Sequence, residues 1–324
     1  VHVHCRNCEH AADVDLRKGG NLKLPWRVDW PMRWSFEGVV FEPGGKDHSS
    51  AGGSYDTARE IVAQVYGGRA PEYVAYDFVR VKGEGGKISS SAGGAITVAD
   101  CLEIYEPEML RWIFASVRPN TEFQISFDLD ATKLYEDYDR AQRLACEPDD
   151  GGKNDKKRQI ARRTLQLASL DHHQIAPGEE QPFVPPFRGL STILQIYDGD
   201  LARSLEHYER TGEIRTQVER DRFEVRARCV WRWLEKYAPE DFRYRIRELP
   251  LQQPLEAEPR ELLGRLVAAL EAAPDLDEAA LVEVLKNLCE GSRLQPTDFF
   301  PYAYELLLGR PKGPRLSTLI ITMG

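Results

Sequence analysis

The stretch Tyr73-Val74-Ala75-Tyr76-Asp77-Phe78-Val79-Arg80-Val81 runs straight into Lys82-Gly83-Glu84-Gly85-Gly86-Lys87-Ile88-Ser89-Ser90-Ser91-Ala92-Gly93-Gly94. β-Branched and aromatic residues at nearly alternating positions make 73–81 a strand, and the glycine-rich run after it is a loop. A helix opens near Thr97. Strand, pliant loop and helix in that order is the setting of many phosphate sites in α/β proteins. Upstream, 54–66 reads as a helix: Thr57 and Glu60 can form a capping box, Ile61, Val62 and Val65 give one apolar face, and Gly67 suits the C-cap. Turns at Pro43-Gly44-Gly45 and Gly52-Gly53 punctuate this first quarter.

Further along, the period changes. Residues 148–163 are polar, with Gly151-Gly152 and the cations Lys153, Lys156, Lys157, Arg158, Arg162 and Arg163, and read as a surface linker or an edge that follows a polyanion backbone. Beyond about residue 190 helical spacing dominates. Residues 217–237 put Phe223, Ala227, Val230, Trp231 and Leu234 on one stripe; 260–270 do so with Leu262, Leu263, Leu266, Val267 and Leu270. A helix starting at Asp275, with Glu278 three places on, carries Leu281, Val282, Leu285 and Leu288. The fold class expected is therefore α/β followed by all-α, with no internal repeat.

A chain of 324 residues has room for two domains. The net charge of −9 excludes blanket polyanion binding, so any nucleic-acid contact must come from a local basic surface. Six cysteines in a chain of this size do not make a disulfide framework. The sequence has no apolar run long enough to span a membrane, and its first residues lack a signal peptide's pattern, so a cytoplasmic protein without a membrane partner is expected.

The loop around Lys87 places one cation and three hydroxyls on a backbone free to fold over a ligand. Such a loop suits a phosphate chain, with Lys87 as a mobile point charge and the serines and amides as a cradle. Taken alone, the loop reads more readily as a solvated Gly/Ser turn with an ordinary surface lysine, since short motifs match often by chance.

Lys87-Ile88-Ser89-Ser90-Ser91, following a strand, resembles the KMSKS signature of class I aminoacyl-tRNA synthetases. The block Leu24-Pro25-Trp26-Arg27-Val28-Asp29-Trp30-Pro31-Met32-Arg33-Trp34, then Gly45-Lys46-Asp47-His48 and Ala51-Gly52-Gly53-Ser54-Tyr55-Asp56-Thr57, is similar to class I lysyl-tRNA synthetases in particular. The likeness extends through Glu136-Asp137-Tyr138-Asp139-Arg140 to Gly313-Pro314-Arg315-Leu316 and so covers most of the chain. Two departures matter. Ser90 stands where the signature has its second lysine, which leaves Lys87 as the main cation, and no HIGH-type motif occurs. The resemblance places that motif upstream of Val1, so a C-terminal portion, inactive alone, is expected.

The resemblance implies three parts: residues 1–105 as the C-terminal half of a Rossmann nucleotide-binding catalytic domain, 106–170 as a stem-contact connection, and 171–324 as an α-helical anticodon-binding domain. It implies ATP, Mg2+, lysine and tRNA(Lys) as substrates of a monomer, Lys87, Ser89 and Ser91 as catalytic residues, and Gly45, Asp47, Lys87, Ile88 and Ser90 around ATP. Trp26, Asp29, Trp30 and His48 are the expected lysine-binding residues. Physical grounds agree for the first three, since an ammonium is held by an aromatic face together with acceptors. Single tryptophans nevertheless more often anchor a core, and a lone histidine beside a glycine turn is more often a surface residue.

Cys5-Arg6-Asn7-Cys8 has the spacing of half a zinc ribbon, with His2, His4 and His10 nearby as further ligands. The resemblance suggests that a partner pair lies upstream; two free thiols are the competing reading. At the level of the whole protein, the rivals are a non-catalytic tRNA-binding protein with a vestigial nucleotide fold, against which the intact Lys87 loop argues, and a glutamyl-tRNA synthetase, against which the 26–34 block argues.

Overall fold

The computed structural model describes residues 1–20, 23–82, 96–248 and 255–323. The chain divides into two compact units. The first comprises residues 1–80 with 117–124; residues 81–82, 96–116 and 125–323 belong to the second. The fold is mixed α/β, and no helix among the described residues is long and apolar enough to cross a membrane.

In the first unit, β1 (His2–His4) and β2 (Ala11–Asp13) form an antiparallel hairpin. Next come α1 (Trp26–Glu37), β3 (Phe41–Gly45), α2 (Ser54–Gln64) and β4 (Glu72–Tyr76). β3 and β4 pair in parallel, Phe41 opposite Glu72 and Gly45 opposite Tyr76, with α2 as the crossover. The core joins Trp30 and Trp34 of α1 to Ala58 and Val62 of α2, with Tyr55 and Tyr73 packed alongside. The expected helix at 54–66 is present, but Thr57 is not its cap. Gly53 holds the N-cap position and Thr57, one turn in, donates its hydroxyl to the Gly53 carbonyl at 3.1 Å. The expected strand at 73–81 is broken into β4 and β5 (Val79–Val81), because Asp77 turns the chain: its carboxylate accepts from the Phe78 amide at 2.7 Å, and its own amide donates to the Pro119 carbonyl.

The second unit is helical. α3 (Val98–Ile104) starts at the expected place, with Thr97 and Asp100 forming a reciprocal capping box. After α4 (Pro107–Ala115) the chain passes through β6 (Phe123–Ile125), whose first two residues belong to the first unit and which pairs with β5, and then forms α5 (Asp130–Cys146) and α6 (Asp155–Ala168). The polar stretch expected to be a linker or edge is therefore helical from Asp155 onward. Then follow α7 (Phe187–Ile196), α8 (Leu201–Arg210), α9 (Gln217–Lys236), α10 (Ala257–Ala272), α11 (Glu278–Asn287), α12 (Pro296–Leu308) and α13 (Leu316–Met323). Leu262, Leu266, Leu281, Leu285, Phe299 and Leu319 anchor a core shared by the last four helices.

Three details of the helical reading are corrected. On α9 the buried indole is Trp233, which donates Nε1–H to the Phe127 carbonyl at 2.9 Å, while Trp231 is half-buried. Val267 lies on the open side of α10 at 51% exposure. α11 is capped by Asp277, whose side chain accepts from the Ala280 amide, two residues after the expected start.

Candidate functional site

Helical spacing builds the site's first wall. Trp26 and Trp30 are four residues apart on α1, so their indoles lie one above the other, 5.2 Å between centroids and 21° from parallel. Trp34 continues the row 4.9 Å from Trp30 and donates Nε1–H to Glu42 at 3.0 Å. Burial grades along the row: Trp34 and Trp30 are core, whereas Trp26 at the helix start is 48% exposed and offers a free ring face. Of the two sequence readings of this block, core anchor and ligand wall, the first describes Trp30 and Trp34, and Trp26 has the exposure the second requires.

The second wall is the turn after β3. Gly45 ends the strand, the His48 amide donates to its carbonyl at 2.9 Å, and the His48 ring stands 5.8 Å from Trp30 and 6.3 Å from Trp26. The structure thus brings Trp26, Trp30 and His48 together. Asp47 lies beside the histidine, 4.0 Å from its Nε2, and Lys46 pairs with Asp77 at 2.6 Å. The turn needs its glycines. A Cβ on Gly53 would sit 2.5 Å from the His48 carbonyl oxygen, and one on Gly44 would fall 2.1 Å from the Tyr73 hydroxyl. The group lies at the carboxyl end of a parallel strand and the amino end of α2, where open α/β sheets bind ligands and helix amides favour anions.

Asp29, an expected ammonium partner, accepts from Arg33 Nε at 2.9 Å, and its side chain is only 14% exposed. Sequence reasoning assigned no role to Tyr55 and Tyr73, which stack at 4.0 Å behind Trp30 and Trp34; burial raises the Tyr55 phenol above its ordinary pKa, with Arg59 opposing. Tyr55 sits inside the quoted Gly-Gly-Ser-Tyr block and Tyr73 at an inward position of β4, the only signals that pointed to them. Lys87, Ile88, Ser89, Ser90 and Ser91 lie outside the described residues.

Cys5 and Cys8 flank the tip of the β1–β2 hairpin, where Glu9 adopts a left-handed φ of 57°. The Cys8 and Asn7 amides and the Cys8 thiol all favour the Cys5 thiolate and lower its pKa. A thiolate favoured on a tight turn suits a metal ligand at Cys5. His2 is turned to Asp13 instead, at 3.1 Å, and no group of three or more metal-binding side chains occurs among the described residues. The hairpin fits one half of a tetrahedral site.

A family model for class I tRNA synthetases (K), K being the symbol for lysine, matches residues 1–171, which include both walls of this site. The chain belongs to that family. Lysine–tRNA ligases are similar to this class I synthetase chain over almost its whole length. That of Treponema pallidum is 41% identical across 100% of the chain and 60% of its own length. Those of Borrelia garinii subsp. bavariensis and Pyrococcus horikoshii are 38% and 34% identical over 98% and 97% of the chain, and 59% of theirs. The chain thus spans about three-fifths of the length of these relatives.

Proposed function

We propose that the full-length protein is a lysine–tRNA ligase. The similarity to ligases of that name across 97–100% of the chain carries this reading, and the half-exposed Trp26 beside His48 gives it a physical site. A lysine carboxylate oxygen attacks the α-phosphorus of Mg-ATP, the bond to the bridging oxygen breaks, and pyrophosphate leaves with the electron pair. A ribose hydroxyl at the end of tRNA(Lys) then attacks the carbonyl carbon of the adenylate; AMP leaves and the hydroxyl proton is released.

The ring of Trp26 holds the lysine ammonium by its face, with the His48 ring beside it and Trp30 fixing the indole's orientation. The Gly45–Asp47 turn approaches the nucleotide, Asp47 accepting from a ribose hydroxyl. Lys87, with Ile88 and Ser90 along the phosphates and Ser89 and Ser91 in support, stabilises charge on the departing pyrophosphate. Mg2+ neutralises the phosphate oxygens when ATP binds. Cys5 and Cys8 would supply two of the thiolates that hold a structural zinc.

Residues 1–105 form part of a Rossmann catalytic domain, 106–170 contact the tRNA stem, and 171–324 bind the anticodon, within a cytoplasmic monomer. A cleft of about 820 Å³ in the helical unit, lined by Arg243 and Lys312 together with Glu240 and Asp241, supports the last assignment: its two cations suit phosphates and Phe242 suits stacking on an unpaired base. The test is lysine-dependent pyrophosphate exchange and lysylation by the full-length protein. Exchange driven by glutamate, or no exchange with any amino acid, would refute it.

A further inference from the structure

Tyr138, Gln142 and Cys146 follow one another at four-residue spacing and form one row along α5. Val218 and Arg222 do the same on α9. The two rows share a cavity of about 360 Å³, entirely within the second unit, whose wall Glu108 of α4, Leu165 of α6 and residues of the 169–182 segment complete. That volume lies at the lower end of the range for small-molecule sites, about 300–1,000 Å³.

Several polar groups in the wall are already committed. His173 pairs with Glu179 at 2.9 Å, which raises the imidazole pKa, and the other Glu179 oxygen accepts from the Ala176 amide at 2.8 Å. Gln181 donates to Gln142 at 2.9 Å. Two donors have no partner among the described residues. Tyr138 is 2% exposed, yet its hydroxyl makes no hydrogen bond, and burial holds the phenol well above its ordinary pKa, so it remains a donor. The half-buried Arg222 guanidinium has neither a hydrogen bond nor an ion pair, because Glu106 and Asp139 are taken by Arg226 one turn further along α9. Two acceptors are half used. Glu108 gives one oxygen to the Leu170 amide at 3.0 Å, and Asp171 gives one to the Ser169 hydroxyl and the His173 amide; the second oxygen of each has no hydrogen bond among the described residues. Glu108 and Arg222 both act on the ionisation of Tyr138, so these groups converge on one space. Buried polar groups are paired as a rule, and donors left open at a cavity wall are completed by what the cavity holds.

The charges say what kind of molecule that is. A protonated His173 leaves its pair with Glu179 neutral, so Glu108 and Asp171 bring two negative charges against the one positive charge of Arg222. The complement is one carboxylate and two ammonium groups. Leu165, Ile175 and Val218 offer an aliphatic surface for the stem between them. We propose that this cavity binds a dibasic amino acid, the class to which lysine belongs. Arg222 takes the carboxylate through its fork, the Tyr138 hydroxyl donates to the same group, and Glu108 and Asp171 accept from the ammonium groups. The Trp26–His48 walls belong to the first unit and share no residue with this site, which stands on its own lining rather than on the ligase reading.

Equilibrium dialysis of labelled lysine against the full-length protein, without ATP, counts the sites in wild type, Trp26→Ala, Arg222→Gln and the double variant. Tyr138→Phe serves as the milder substitution, and melting curves check the fold. The expected result is two lysines per chain. Trp26→Ala weakens one of them; Arg222→Gln weakens the other by about tenfold or more, the loss for a hydrogen bond to a charged group, and Tyr138→Phe weakens that same one by a smaller factor. Norleucine, which lacks the second ammonium, and cadaverine, which lacks the carboxylate, each compete for it at least about tenfold less well than lysine. A single lysine per chain, lost in Trp26→Ala, would overturn the proposal. So would a second site that survives Arg222→Gln intact or that takes norleucine as well as lysine. If Arg222→Gln unfolds the protein, Tyr138→Phe and the two competitors still decide the outcome. Lysine held at the Arg222 site with no lysine-dependent pyrophosphate exchange would leave this site standing and bring down the ligase reading alone.

Discussion

Arg226 of α9 reaches Asp139 of α5 through both terminal nitrogens, at 2.8 and 3.1 Å, with none of its side chain exposed. Its Nε donates to Glu106 at 2.6 Å, and its head lies over the Tyr135 ring. Burial works against a charged guanidinium, and Glu106 and Asp139 more than offset it, holding the pKa above its ordinary value. One side chain thus pins the start of α4, the middle of α5 and α9.

Removing one partner strands the other charges in the interior. Asp139→Ala should cost about 3–5 kcal/mol, the scale for breaking a buried pair, measured by denaturant unfolding. Arg226→Lys should also destabilise, because an ammonium cannot reproduce the fork. A loss below about 1 kcal/mol in both variants would show that water reaches the cluster.

Trp26 and Trp30 should separate binding from folding. Trp26→Ala should raise the KM for lysine in pyrophosphate exchange by about tenfold, the worth of a partly desolvated cation–π contact, with little change in melting temperature. Trp30→Ala should instead destabilise by about 3–5 kcal/mol, as for any large core residue. Equal KM effects with equal destabilisation would remove the ligand role of Trp26.

Lys87→Ala in the full-length protein should slow adenylate formation by about a hundredfold to a thousandfold, the usual loss when one preorganised transition-state charge partner is removed. Affinity for tRNA should not change. Rapid-quench measurement of lysyl-adenylate is the check, and near wild-type rates would reduce the loop to a connector.

Glu219 gives a pH signature. The amides of Arg215 and Thr216, with that of Phe183, lower its pKa from 4.5 to about 2. A folded-state pKa below the unfolded one means that the stabilisation is complete above about pH 4.5 and is lost as pH falls towards 2. Glu219→Gln should therefore lower the melting temperature most at neutral pH and converge on wild type near pH 2. A constant gap across that range would place the effect in geometry rather than charge.

Periodicity reached three helices of the second unit, α9, α10 and α11, because a buried apolar stripe repeats where the backbone does, and it gave no bounds for α4 to α8, α12 or α13. It could not separate Trp231 from Trp233, since two positions on a helix differ by a 200° rotation whose origin only packing sets. Nor could it show that Arg158 and Arg162 are structural while Lys156 and Arg163 have no ion pair among the described residues: all four sit in one polar run, and Glu147, Asp149 and Asp150 acquire their roles only when α6 folds back on α5. Trp26 and His48, 22 positions apart, were suggested by a family resemblance; the parallel pairing of β3 with β4 and the packing of α1 on α2 are what bring their rings together. The pairing of Asp29 with Arg33 was open to an i,i+4 reading, but proximity to two tryptophans made the ammonium role the more attractive assignment.

The indole row on α1 gives the pocket its own optical reporter. Three of the chain's six tryptophans, Trp26, Trp30 and Trp34, stand within about 5 Å of one another in sequence along the row, and only Trp26 is open to solvent. A cation settling on Trp26 changes the polarity around one ring and, through stacking, the electronic coupling of its neighbours. Emission wavelength and near-ultraviolet dichroism should both move on titration with lysine, so occupancy can be followed without a label and apart from turnover.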